Sequence, residues 1–404
     1  MFLGREIFLI FAISIEVMIL AKNYIYADNA ATTRLAPEAL EAMMPYLTDE
    51  YGNPSSLYSF SRSAKKALAD ARAVIAECIG ASPEEIFFTS GGTESDNWAI
   101  NNFVFAEFHR KRNILISPVE HHAIFNTCQK IALVHRYTIT STPVNDKGKI
   151  ILPIYKEHVE DYPDGISIML ANNEIGTIED ISQMTDIAHH YCIPFHTDAV
   201  QAMGHIPIDV KKLGVDMLSA SAHKFNGPKG IGFLYVKQNT VLKPFIDGGQ
   251  QEAGRRAGTE NVAAIVGMAT ALRLCCERMN EVTARLAEMT ACFRKIINAN
   301  LPEAAFNGDP EHRLPGHISL SIPGISGEGL LHVLDLQGIA ISTGAACNSK
   351  STEISHVLKA IELPEKLSKG TVRITFGVYN TVVQAQYIAD KIVEYCKANQ
   401  DETD

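Results

Sequence analysis

From Tyr24 onward, short apolar strands alternate with helical stretches, and that alternation restricts the chain to an α/β fold with a largely parallel sheet. Ile86-Phe87-Phe88, Ile114-Leu115-Ile116, Ile166 to Leu170, Ile193 to Phe195 and Met217-Leu218 read as strands. Helical patterns such as Ser63 to Ile79 and Ile181 to Tyr191 separate them, and Gly230 to Val236 reads as a further strand after the Gly227-Pro228 turn. Val262 to Asn298 reads as one long helix. Beyond it, strands near His317 to Ile322 and Val372 to Phe376, with helices near Glu328 to Leu336 and Thr381 to Lys397, predict a second, smaller α/β domain.

A polar cluster closes each of the first five strands: Thr89-Ser90-Gly91-Gly92-Thr93, Glu120-His121-His122, Asn172-Asn173-Glu174, His196-Thr197-Asp198 and Ser219 to Lys224. Open α/β sheets bind ligands beyond the carboxyl ends of their strands, so these clusters are expected to converge on one crevice. With 404 residues, 46% hydrophobic and 20% charged, the chain has ample material for a core. Its 46 acidic against 36 basic side chains give a net charge of -10, which phosphate backbones repel, so direct nucleic-acid binding is not expected. The basic triplet Arg110-Lys111-Arg112 reads as a solvated helix end.

Eight cysteines, at 78, 128, 192, 275, 276, 292, 347 and 396, contain no C-x-x-C pair, so neither a zinc ribbon nor a disulfide framework is expected. A reducing cytoplasm suits them, with most acting as small apolar side chains in helices or strands. Near the start, Ile7 to Ile15 is apolar apart from Ser14, and Glu16 interrupts before Val17 to Ala21 resume. That run is marginal for a membrane span, and Glu6 offsets the Arg5 charge that a signal peptide would use. Residues 1–20 therefore read as an N-terminal extension, with Met18 an alternative start.

The chemistry centres on Ser219-Ala-Ser-Ala-His-Lys-Phe-Asn-Gly-Pro. A lysine just past an apolar strand is partly desolvated, which favours the neutral amine and makes Lys224 a nucleophile toward an aldehyde. Alone, it reads better as a surface lysine with its head in water. Asp198, at the end of the preceding strand, changes the balance: a pyridoxal ring needs a carboxylate to keep its nitrogen protonated. Asp198 alone would pass for a helix cap. The Thr89 to Thr93 run opens a helix with glycines, which suits a phosphate and matches neither G-x-G-x-x-G nor a P-loop. Cys347, in Ser342-Thr-Gly-Ala-Ala-Cys-Asn-Ser-Lys-Ser, is surrounded by small residues, as expected of a mobile loop presenting an accessible thiol, and also fits a buried cysteine in a Gly/Ala turn.

Asp28-Asn-Ala-Ala-Thr-Thr, Gly52-Asn-Pro-Ser-Ser, Thr89-Ser-Gly-Gly-Thr-Glu-Ser-Asp-Asn, Asn172-Asn-Glu-Ile-Gly, Ser-Ala-His-Lys224, Gly258-Thr-Glu-Asn and the Cys347 loop together resemble the cysteine desulfurase family, in family order from about Tyr24 to Lys397. The resemblance implies a pyridoxal 5′-phosphate (PLP)-dependent transferase of fold type I. It implies a large domain over 33–277 and a small one over 21–32 and 278–404. Lys224 would hold the cofactor covalently and move protons, Asp198 would pair with the ring nitrogen, and Gln201 would bond the ring hydroxyl. His121 would stack on the ring and assist proton transfer, while His122 reads as structural. Gly92, Thr93, Ser221 and His223 resemble the phosphate ligands, and Thr259 the threonine that reaches a neighbouring subunit's phosphate, implying a homodimer. Asn173 and Arg373 resemble groups that hold the cofactor and the substrate carboxylate; a planar guanidinium grips a carboxylate with two bonds.

The implied reaction takes sulfur from L-cysteine, leaving L-alanine and a persulfide on Cys347 for an iron–sulfur scaffold protein or a tRNA-thiolation enzyme. No resident metal is implied; Cys347 would meet an iron–sulfur cluster only in transfer. The serine-rich loop is similar to the group feeding general iron–sulfur assembly and lacks the Arg-x-Gly-His-His-Cys pattern of the other major group. Val378 stands where the family commonly has arginine, and Ala345 where serine is frequent. Competing readings are another PLP-dependent aminotransferase or lyase, including a selenocysteine lyase, and a PLP-free scaffold or sulfur-relay subunit.

Overall fold

The computed structural model describes residues 24–105, 111–343 and 354–400. Its frame is a seven-stranded sheet made of β2 (Ile86–Thr89), β3 (Asn113–Ile116), β4 (Thr138–Ser141), β5 (Gly165–Ser167), β6 (Phe195–Asp198), β7 (Met217–Ser221) and β8 (Gly232–Val236). The strand order is β2-β8-β7-β6-β5-β3-β4. Every pairing is parallel except the two made by β8, which runs antiparallel to β2 and β7. Parallel strands need crossovers that cover both faces, which explains the unbroken burial of β5, β6, β7 and β8.

The longer helices are α1 (Pro37–Thr48), α2 (Arg62–Ile79), α3 (Gly92–Phe105), α4 (His122–His135), α5 (Leu152–Glu160), α6 (Ile181–His190), α7 (Val262–Asn300), α8 (Gly327–Leu336) and α9 (Val382–Gln400). In α2, Ala64, Ala67, Ala71, Ile75 and Ile79 recur at helical spacing and are buried, and Gly80 ends the helix in the left-handed conformation at φ 71°. The long helix α7 starts at an Asn261 cap, whose side chain accepts from the Ala264 N–H at 3.2 Å. Its first half, including Ile265, Met268 and Leu272, packs into the core around the large sheet. Leu286, Met289, Phe293 and Ile297 pack into a separate core with α9 and a four-stranded sheet. That sheet has the order β12-β13-β10-β9, formed by β9 (Ala305–Phe306), β10 (His317–Ser321), β12 (Ser342–Thr343) and β13 (Thr371–Thr375). The remaining pair, β1 (Ile25–Tyr26) with β11 (Ile339–Ala340), is parallel and ties the start of the described chain to the C-terminal region.

Four details depart from the sequence reading. The strand expected over Ile166 to Leu170 ends at Ser167, and the one expected over Ile193 to Phe195 begins at Phe195. His196, Thr197 and Asp198 are therefore inside β6: the His196 ring meets Ser167 on β5 and Ser219 on β7, Thr197 Oγ1 donates to the Ile168 carbonyl just past β5 at 2.8 Å, and Asp198 Oδ1 accepts from the Val200 N–H. The edge strand β4 was not expected; its half-exposed Thr-Ile-Thr-Ser carries no apolar run. Cys192, expected to pack in a regular element, is exposed in a turn at φ 55°. No helix among the described residues is long and apolar enough to cross a membrane.

Candidate active site

The carboxyl ends of the parallel strands meet the C-terminal region around a cavity of about 310 Å³, at the low end of the range of roughly 300–1,000 Å³ usual for small-molecule sites. Gly92 and Thr93 line it from the start of α3, His121 from the start of α4, and Asn173 from the loop after β5. Asp198, Gln201, Ser221, His223 and Lys224 contribute from β6, β7 and the turns beyond them, and Arg373 from β13. Thr259 does not line this cavity; it is exposed on a loop before α7. Cys347 lies outside the described residues. A larger cavity of about 390 Å³ between α1, α7 and residues 377–379 has no lysine facing a carboxylate.

The parallel register of β6 and β7 sets Asp198 opposite Ser219, so the turn after β7 brings Lys224 to the same edge. The Lys224 Nζ donates to the Ala30 carbonyl at 2.5 Å and the Ala31 carbonyl at 2.9 Å. Asp198 is 4% exposed and its Oδ1 accepts from the Val200 N–H at 2.8 Å. Burial pushes its carboxyl up to about 6, against the opposing pull of the Val200 N–H and the Lys224 charge. Gln201 Nε2 donates to the Ala30 carbonyl at 2.8 Å, so the peptide at Ala30 anchors both the amide and the amine.

His121 caps α4: its Nδ1 accepts from the Ala123 N–H at 3.1 Å. That bond leaves the ring proton on Nε2, and burial, with the Lys224 and His122 charges, pushes the imidazole down to about 4. At neutral pH, His121 is thus an uncharged ring carrying an Nε2–H donor. His223 is also pushed down to about 4, by burial and the charges of Lys224 and Lys229, and its Nδ1 lies 3.1 Å from Thr32 Oγ1. Arg373, 3% exposed, donates to Asp28 Oδ1 at 2.8 Å and to the Asn173 carbonyl at 3.1 Å, while its buried Nε has no hydrogen-bond partner among the described residues.

These residues fit a pyridoxal phosphate on grounds of their own chemistry. At Gly92 a Cβ would come within 2.6 Å of Val200 Cγ2, so only glycine lets the start of α3 close on the cavity. An anion there meets backbone N–H groups at a helix start, with the Thr93 and Ser221 hydroxyls and His223 also at the cavity. The buried carboxylate for a ring nitrogen and the amine for an aldehyde line the same space.

One residue of the site was not anticipated. Asp96, one turn into α3, lines the cavity at 1% exposure with an Oδ1 that no described group satisfies. Beneath it, Ser167 Oγ, the His196 ring and Ser219 Oγ form a buried chain with contacts of 2.9 Å. Burial, then the neighbouring Asp198 carboxylate, holds the Asp96 carboxyl well above its ordinary range. The sequence signal was its position in the run opened by Gly92, but a polar residue in a first helical turn usually faces water.

The aminotransferase class-V family model matches residues 25–388. A cysteine desulfurase IscS of Dictyoglomus turgidum is 46% identical over 369 residues, spanning 91% of this chain and 93% of that protein. Among solved structures, a NifS-like protein superposes with a TM-score of 0.87 at 35% identity, covering 93% of this chain and 99% of that one. SspA in complex with cysteine superposes with a TM-score of 0.75 at 35% identity, covering 88% of this chain and 100% of the other. Fold, site and these similarities together establish that the chain belongs to the class-V aminotransferase family and, within it, to the cysteine desulfurases.

Proposed function

We propose that this protein is a PLP-dependent cysteine desulfurase that takes sulfur from L-cysteine, releases L-alanine and carries the sulfur as a persulfide on Cys347. The observation that carries the proposal is Lys224 and Asp198 facing one cavity, Asp198 from the end of β6 and Lys224 from the turn after its parallel neighbour β7. When bound, the cofactor supplies an electron sink for the pair left on carbon as the carbon–sulfur bond breaks. Lys224 holds the cofactor and then carries a proton to and from the substrate's α carbon. Asp198 would pair with the ring nitrogen, and Gln201 would bond the ring hydroxyl. Gly92, Thr93, Ser221 and His223 hold the phosphate, and Thr259 serves the phosphate site of a second copy.

Arg373 and Asn173 orient the substrate's carboxylate, with Arg373 pre-aimed by Asp28. The uncharged His121 ring, with its proton on Nε2, is set to donate to substrate sulfur rather than to strip a proton from it. The Cys347 thiolate forms a bond to that sulfur, the carbon–sulfur bond breaks, and the carbon gains a proton to give alanine. The persulfide passes to an iron–sulfur scaffold or tRNA-thiolation protein. A reducing cytoplasm suits the described cysteines, all of them free thiols.

Replacing Cys347 with serine tests the reading. Alanine formation from L-cysteine should stop while the cofactor's visible absorbance persists; undiminished turnover would reject the assignment.

A further inference from the structure

Glu94 stands in the first turn of α3, next to Thr93. Its Oε2 accepts from the Ser90 N–H at 2.9 Å, which braces the glycine turn but fixes a negative charge one residue past Thr93, which lines the cavity. A second anion would be repelled there. Arg256 lies against this carboxylate, with Nε 2.8 Å from Oε1 and Nη2 3.1 Å from Oε2, a fork that engages both oxygens. The Arg256 and Glu94 side chains are 22% and 11% exposed, so salt screens the pair only partly.

Arg256 is not on a freely moving loop. Ala257 N–H donates to the Ile246 carbonyl at 3.0 Å, and Phe245 N–H to the Arg255 carbonyl at 2.9 Å. Four residues before Arg256, Glu252 is gripped by Arg72 at 2.6 and 2.9 Å and accepts from the Phe88 N–H at 2.9 Å. These bonds hold Glu252 and Ala253 at φ 47° and 57°, left-handed values that side chains rarely adopt.

We propose that Arg256 is a positioning residue for the phosphate end of the cavity: it cancels the Glu94 charge, so that Glu94 can brace the Ser90 turn without repelling the cofactor's phosphate. The inference rests on the pyridoxal phosphate reading above.

The test compares full-length apoprotein reconstituted with pyridoxal 5′-phosphate and with pyridoxal, which lacks the phosphate, each titrated by visible absorbance. The ratio of the two affinities isolates the phosphate's contribution. R256Q is expected to lower that ratio about tenfold, R256K to keep it within about threefold, and the E94Q/R256Q double variant to restore it to within about threefold of the wild-type value. An unchanged ratio in R256Q, or no recovery in the double variant, overturns the proposal, because a merely structural pair would lose in each variant without recovery. Should R256Q fail to fold, E94Q decides: a ratio at or above wild type supports charge cancellation, and a fall overturns it. A wild-type protein that takes up neither aldehyde defeats the cofactor reading itself, whereas uptake of both with a ratio indifferent to residue 256 defeats only this inference.

Discussion

The two main sheets both bury polar side chains, but they use them differently. In the four-stranded sheet the polar groups close on one another: Ser321 Oγ lies 2.7 Å from Thr371 Oγ1, and Asn307 Nδ2 donates to Ser319 Oγ at 3.0 Å and Ser321 Oγ at 2.8 Å. At the carboxyl edge of the seven-stranded sheet the same kind of chain, Ser167–His196–Ser219, leads toward Asp96, whose Oδ1 stands 3.8 Å from His196 Nε2 without a hydrogen bond, and Glu120 Oε2 has no hydrogen-bond partner among the described residues either. The exception in the small sheet is Arg373 Nε, and Arg373 is the residue there that reaches the cavity. Asp96 Oδ1 and Arg373 Nε belong to residues that line the cavity, whereas orphaned atoms such as Thr142 Oγ1 and Arg313 Nε lie away from it.

Substitutions on the two sides should therefore differ in kind. The largest effect is expected at Lys224: K224A should lower alanine production by at least about 10³-fold and remove the cofactor's absorbance, while leaving the thermal midpoint of the apoprotein nearly unchanged. D198N should cost about 10²-fold in turnover. It should also erase a pH limb. The Asp198 carboxyl sits at about 6, so the anion that pairs with a ring nitrogen is present above that pH and lost as pH falls through it. Cofactor affinity of the wild-type apoprotein should weaken below about pH 6, and that of D198N should not share this dependence.

Glu120 sharpens the comparison through stability. Burial pushes its carboxyl from an ordinary 4.5 up to about 8, so between those values the folded protein keeps a proton that the unfolded chain has lost. Stability should fall as pH rises across this window and level off above it. E120Q, with no charge to bury, should lack this slope and gain on wild type by up to about 4 kcal/mol between pH 5 and 9, as read from denaturant midpoints. Parallel curves for the two proteins would show that the orphaned oxygen carries no such cost. The smallest effect belongs to the closed network: S321A should cost about 1 kcal/mol of stability and leave turnover within about twofold. A large loss of activity there would blur the distinction between the sheets.

Much of this site is legible in the sequence because strand ends are marked by composition. An apolar run breaking into Ser-Ala-His-Lys or His-Thr-Asp locates Lys224 and Asp198 at a sheet edge without coordinates. What escaped depends on packing between distant segments. Asp96 looks like any polar residue in a helical turn until α3 is laid against β6 and β7. The Glu94–Arg256 fork joins residues 162 positions apart, and neither partner carries a local signature. His196 reads as loop chemistry from its polarity but sits inside β6, because Ser167 and Ser219 satisfy its ring.

Mass spectrometry of the purified holoenzyme after incubation with L-cysteine tests the whole account most directly. One added sulfur atom on the peptide containing Cys347, with alanine in the supernatant and neither product in K224A, is the result expected. Alanine released with the sulfur on another cysteine, or an unmodified Cys347 during sustained turnover, would contradict it.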